Sequence, residues 1–243
     1  MTEPMRYLRE RYRRTWRFVA ARFARGEYLG LHLTVGLAIC LGALWLFAGI
    51  TEDVVHQDAL TTFDLQVLAR LHARATPTGY ALARAVSALG SPLAMVVLAL
   101  SVSVLLAARR QGVLLEGWVI AFAGGGILNQ VLKRIVHRPR PLHSSILSST
   151  SWSFPSGHAM ESLIGYGMLA YLLLVMLPEA RARSPLVVGA AAVLILAIGF
   201  TRLYLGVHYF SDVAGGYAAG VIWLSACISG LEITRRWRPP ALD

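Results

Sequence analysis

Residues 157–177, GHAMESLIGYGMLAYLLLVML, and residues 186–205, LVVGAAAVLILAIGFTRLYL, decide the fold. Each is an apolar run of about 20 residues, the length a helix rising 1.5 Å per residue needs to cross a bilayer core. The turn between Pro178 and Pro185 makes the two runs antiparallel, so a chain that descends from His158 climbs back to bring Arg202 and His208 to the same membrane face. Working outward, similar stretches lie at about 29–50, 91–108, 114–132 and 213–231. The reading is an all-α, six-transmembrane-helix integral membrane bundle.

Composition agrees. The 243 residues are 56% hydrophobic and only 15% charged, with a mean hydropathy of +0.57, whereas soluble domains carry about 25% charged residues. The first stretch is too long, and the basic region before it too large, for a cleaved signal peptide, so it reads as a permanent helix. The expected organisation is a basic interfacial arm over 1–28, a membrane domain over 29–231 and a tail over 232–243. Cys40 and Cys227 fall inside spans, where packing is expected and no disulfide is implied.

The net charge of +10 is distributed as topology rather than as a nucleic-acid surface. Eight arginines between Arg6 and Arg25 alternate with Tyr7, Tyr12, Trp16 and Phe18, in the manner of a helix lying at a membrane interface. Together with Arg109-Arg110, Arg181 and Arg183, and Arg235-Arg236 with Arg238, they place both termini in the cytoplasm. Alternating crossings then send loops 51–90, 133–156 and 206–212 to the opposite face. In the first of these, Leu60, Phe63, Val67, Leu68 and Leu71 follow helical spacing around Asp64, predicting an amphipathic helical outer loop that reads as a connector in preference to a substrate-gating lid.

Three short runs border those loops: Lys133-x6-Arg140-Pro141, Pro155-Ser156-Gly157-His158 and Thr201-Arg202-x5-His208-x3-Asp212. Each alone could arise by chance. Together they supply cationic donors, a helix N-terminus, a nucleophile and an acid, the groups that holding and transferring a phosphoryl unit require. Between Lys133 and His158 there are four Lys or Arg residues and no Asp or Glu, which suits an anionic ligand and argues against a carboxylate-bound magnesium ion. No metal and no cofactor are expected. His137 and His143 make a weak metal site among arginines, and Arg134 and Arg138 are free to meet headgroups or a second phosphate. Ser156 reads as the cap of the fourth span. An i, i+4 relation puts Asp212 on the helix face of His208 if the sixth span extends that far. Glu161 either tunes His158 or pairs with an arginine. Gly124-Gly125-Gly126 and Gly216-x3-Gly220 read as packing features, and His32 as a packing residue.

These runs, over roughly residues 85–231, resemble the type 2 phosphatidic acid phosphatase superfamily, with Thr201 standing where that family usually has Ser. The resemblance implies that His208 attacks phosphorus to form a phosphohistidine and that Asp212 fixes the tautomer of His208. It implies that His158 protonates the departing oxygen and then activates water. Lys133, Arg140, Ser156, Gly157 and Arg202 would hold the phosphate oxygens. The implied substrate is a lipid phosphate or diphosphate in a bacterial inner membrane, of the phosphatidate, phosphatidylglycerol phosphate, undecaprenyl diphosphate or lipid A type, met by a site facing the periplasm or cell exterior. An outward site favours undecaprenyl diphosphate. A lipid phosphotransferase and a non-catalytic lipid-binding or transport protein are the alternatives; a vanadate-dependent haloperoxidase fits six spans poorly.

Overall fold

The structure, a computed structural model, describes residues 28–141 and 152–237, with side chains from Leu33 onward. The basic arm ahead of residue 28, the His32 side chain, His143 and Arg238 lie outside the described residues. The described helices are α1 (Tyr28–His56), α2 (Ala59–Ala73), α3 (Pro77–Ala88), α4 (Pro92–Ala108), α5 (Gly112–Val136), α6 (Gly157–Met176), α7 (Pro178–Ala182), α8 (Ser184–Tyr204) and α9 (Phe210–Trp237). Among the described residues, six segments are long and apolar enough to cross a membrane: Leu33–His56, Pro77–Ala108, α5, α6, α8 and α9.

The second crossing starts at Pro77 rather than near residue 91, and is built in two pieces. The Thr76 hydroxyl accepts the Gly79 N–H at 3.1 Å and Pro77 follows at the first helical position. The same device restarts the chain one helix later, where Ser91 accepts the Ala94 N–H at 3.2 Å ahead of Pro92. Arg84 and Ser87 interrupt the apolar run between these caps, which is why hydropathy alone misses the upper piece.

Helices α6 and α9 form the centre. A side chain at Gly216 would meet the Ser156 carbonyl oxygen at 2.7 Å, and one at Gly220 would meet the Met160 carbonyl oxygen at 3.2 Å, so the two backbones touch. Between lipid-immersed helices the apolar effect gives little preference for protein over acyl chains, and such close approach supplies the attraction instead. Below the seam, Trp118, Ala121, Met160, Ile164 and Met168 are fully buried or nearly so. Trp118 and Trp223 donate their indole N–H groups to the carbonyls of Ala99 and Ala121, each at 3.0 Å. On the outside, Trp45, Leu93, Val104 and Val193 are exposed, the pattern of a surface solvated by lipid.

Candidate active site

The three motif runs converge at one end of the bundle. Helix α5 stops because His137 adopts a left-handed conformation, φ 52°, with its N–H bonded to the Lys133 carbonyl at 3.2 Å. That turn directs Arg138 and Arg140 toward α9. Helix α8 ends at Tyr204, Gly206 takes φ +67°, and the Val207 N–H reaches the Arg202 carbonyl at 3.2 Å. His208 therefore sits in the turn before α9 rather than on its face, yet the pair with Asp212 forms, Nδ1 to Oδ2 at 3.3 Å.

Asp212 is wholly buried and saturated. Its Oδ2 also accepts the Tyr209 N–H at 2.8 Å and the Ser153 hydroxyl, while Oδ1 accepts Arg138 Nη1 at 2.7 Å. With an acceptor fixed on the Nδ1 side, the neutral imidazole carries its proton there and turns the Nε2 lone pair outward. Arg140 Nη1 faces that Nε2 at 3.4 Å and donates to the Val207 carbonyl at 3.1 Å. Burial holds the His208 imidazole down at about 4, and Asp212 opposes this only in part. The ring is thus neutral at physiological pH.

The remaining expected residues gather round it. Lys133 is buried and donates to the Trp152 carbonyl at 2.7 Å. Arg202 Nη1 donates to the Ser87 hydroxyl on α3 at 2.6 Å. His158 opens α6 and lies in electrostatic reach of Arg202, His208, Arg140 and Lys133; a side chain on Gly90 would come within 3.5 Å of its ring. The buried Ser156 hydroxyl and Arg202 Nε have no protein partner, which leaves both atoms for an anion. Burial weakens the charge of Arg140, countered by Asp212. A cluster of cations this dry, with a helix N-terminus among them, is chemically suited to an anion.

Several expectations are corrected. Ser156 precedes α6 but makes no side-chain cap; its own N–H bonds to the Asp212 carbonyl at 2.9 Å. Arg138 is turned into the protein. It is buried and bridges Asp64 Oδ2 at 2.7 Å, Asp212 Oδ1 at 2.7 Å and the Ser211 hydroxyl at 2.6 Å, beneath the Tyr209 ring at 4.2 Å. Burial opposes its charge, but Asp212 and Asp64 outweigh that and raise its pKa above the ordinary guanidinium value. The outer loop is not a mere connector, since Asp64 of α2 is buried and also accepts the Ser211 N–H at 2.9 Å. His137 packs edge-on against Trp152, with centroids 4.8 Å apart. The Thr201 hydroxyl donates to the Ile198 carbonyl at 2.6 Å. Glu161 falls in reach of Lys133 rather than of an arginine. Cys40 and Cys227 are free. Sequence reasoning misses Ser153 and Ser87 and sees Asp64 only as a polar position of the outer helix, because each acts through a partner far along the chain.

Residues 115–236 match the model of the PAP2 superfamily. Over 104 residues the chain is 36% identical to phosphatidylglycerophosphatase B of Bacillus subtilis, covering 43% of this chain and 51% of that protein. Over 110 residues it is 32% identical to decaprenylphosphoryl-5-phosphoribose phosphatase of Mycobacterium tuberculosis, covering 42% and 55%. The chain thus spans about half the length of these curated relatives. Among solved structures, the transmembrane PAP2-type phosphatidylglycerolphosphate phosphatase of Bacillus subtilis superposes with a TM-score of 0.71 at 26% identity, covering 84% of this chain and 98% of that one. LpxE of Aquifex aeolicus shares the fold at 20% identity, TM-score 0.50, over 68% and 94% of the two chains.

Proposed function

This chain belongs to the PAP2 superfamily, and on that premise we propose that it is a membrane lipid phosphatase that hydrolyses the terminal phosphate of a lipid phosphate through a phosphohistidine. The observation that carries this reading is His208, held through Nδ1 by Asp212 with Nε2 turned toward Arg140. In the first step the Nε2–P bond forms and the P–O bond to the lipid breaks, with His158 giving its proton to the departing oxygen. In the second, His158 takes a proton from water, the new O–P bond forms, and the N–P bond returns its electron pair to His208. Lys133, Arg140 and Arg202 neutralise the nonbridging oxygens, and the Ser156 hydroxyl and Gly157 N–H supply neutral donors. These roles need no metal.

Terminal monoester phosphates are the first substrates to test, because the names of both relatives specify phosphatases of that kind of lipid; undecaprenyl diphosphate comes after them. The acyl or prenyl tail stays in the bilayer, each methylene contributing about 0.8 kcal/mol of retention. The basic pairs Arg109-Arg110 and Arg235-Arg236 end α4 and α9 away from the site, supporting cytoplasmic termini, an interfacial arm over 1–28 and a site at the outer face of the inner membrane. The test is phosphate release by purified protein from phosphatidate, phosphatidylglycerol phosphate and undecaprenyl diphosphate, with and without chelator. Sustained turnover by His208→Ala would overturn the nucleophile.

A further inference from the structure

Arg138 occupies one of the unspecified positions of the first motif run, yet its guanidinium is bonded to three side chains. One guanidinium joins a carboxylate on α2 to a carboxylate on α9, with the Ser211 hydroxyl and N–H closing the ring onto Asp64. Asp64 and Asp212 are both entirely buried and Arg138 is 8% exposed, so little water screens them. The proposed chemistry uses Asp212 only through Oδ2; the Arg138 contact occupies Oδ1, the other end of the same carboxylate.

We propose that Arg138 and Asp64 form a positioning pair that sets the orientation and proton affinity of the His208–Asp212 couple, with α2 as the element that holds it. This rests on His208 being the attacking group. Asp64, Arg138 and Asp212 together carry one net negative charge beside the imidazole. Arg138 withdraws charge from Asp212, lowering the proton affinity of His208, and Asp64 returns part of it. The other charged or titratable groups facing His208 are Arg140, Arg202 and His158, with Lys133 in the same cluster and Tyr209 stacked on Arg138. Tyr209 also lies in electrostatic reach of Asp64. The arrangement also explains why an outer amphipathic helix carries a buried acid: Asp64 fastens α2 across the start of α9, at the Ser211 N–H.

The test is the pH dependence of phosphate release from dioctanoyl phosphatidate in detergent micelles, with folding followed by the thermal melting transition. Arg138→Gln leaves two carboxylates beside the imidazole and should move the acidic limb of kcat/KM upward by about one pH unit. Asp64→Asn leaves Arg138 facing Asp212 alone and should move the limb downward, with kcat reduced about tenfold and KM changed less than about threefold. The double variant restores the net charge, so its limb returns toward that of the parent while kcat stays low. Should Arg138→Gln lose its melting transition, Arg138→Lys decides the matter with Asp64→Asn: lysine keeps the charge but cannot span two carboxylates, so the limb stays and kcat falls. Limbs that stay at the parental pH in Asp64→Asn and Arg138→Gln, or that move in the same direction in both, overturn the pair's role. His208→Ala in the same assay separates the two readings. If it is inactive while the limbs do not move, only the positioning pair fails; if it turns over, the nucleophile fails as well.

Discussion

The start of α9 and the start of α6 face each other across the site and are built in opposite ways. On the Nδ1 side of His208 the polar groups are engaged: Asp212 takes bonds from four residues, and behind it Arg138 and Asp64 complete a dry network. Around His158 the Ser156 hydroxyl has no protein partner and the imidazole is only partly buried. On the proposed mechanism the nucleophile benefits from a fixed direction of attack, which a saturated side supplies. A group that must serve first as acid and then as base, beside a phosphate that arrives and leaves, needs donors that remain uncommitted. The asymmetry thus divides the labour between the two helix starts.

The comparison can be broken most severely at the saturated side. His208→Ala should lower kcat by at least about 10⁴-fold, with little change in the melting transition, since it removes the proposed attacking atom. On the open side, His158→Ala should cost about 10²–10³-fold, and the loss should shrink for a substrate with a good leaving group such as p-nitrophenyl phosphate, which needs no proton on departure. If the loss is the same for both substrates, His158 is not the acid. The pH profile sharpens the contrast. Burial holds His208 at about 4, so the neutral ring persists as pH falls and the acidic limb assigned to it should lie near pH 4–5 rather than near 6.5. Smallest of all, Ser156→Ala should raise KM about two- to tenfold with kcat nearly kept, because it removes one uncommitted donor and disturbs no network.

A structural variant addresses the seam beneath both helix starts. Gly216→Val would drive its side chain into the Ser156 carbonyl, only 2.7 Å from the first added carbon. It should destabilise the fold by about 1–3 kcal/mol in a detergent melt and lower activity in parallel.

What could be read from the sequence follows the range of the physics involved. A membrane crossing is a local property, a length of apolar chain, and five of the six stood out as continuous stretches. The second was found short because Arg84 and Ser87 break its apolar run, although Ser87 faces the protein and receives Arg202. Lys133, Arg140, His158, Arg202, His208 and Asp212 could be proposed because each motif is short, and the structure brings them together. The supporting shell was illegible. Arg138 and Arg140 stand in the same His-Arg-Pro-Arg-Pro segment with equal claims to a phosphate, and what separates them is Asp64, 74 residues earlier. Ser153 meets Asp212 across 59 positions and Ser87 meets Arg202 across 115, distances over which no periodicity speaks.

The Ser156 N–H bonded to the Asp212 carbonyl, directly above the Gly216 contact, couples the two active helix starts main chain to main chain. Their spacing is therefore a property of the polypeptide itself and is insulated from how the outer helices lean. In bilayers of different thickness α4 can adjust its tilt, while the gap the phosphorus must bridge keeps its width. Catalytic competence should accordingly survive changes of lipid environment that alter how readily a substrate arrives.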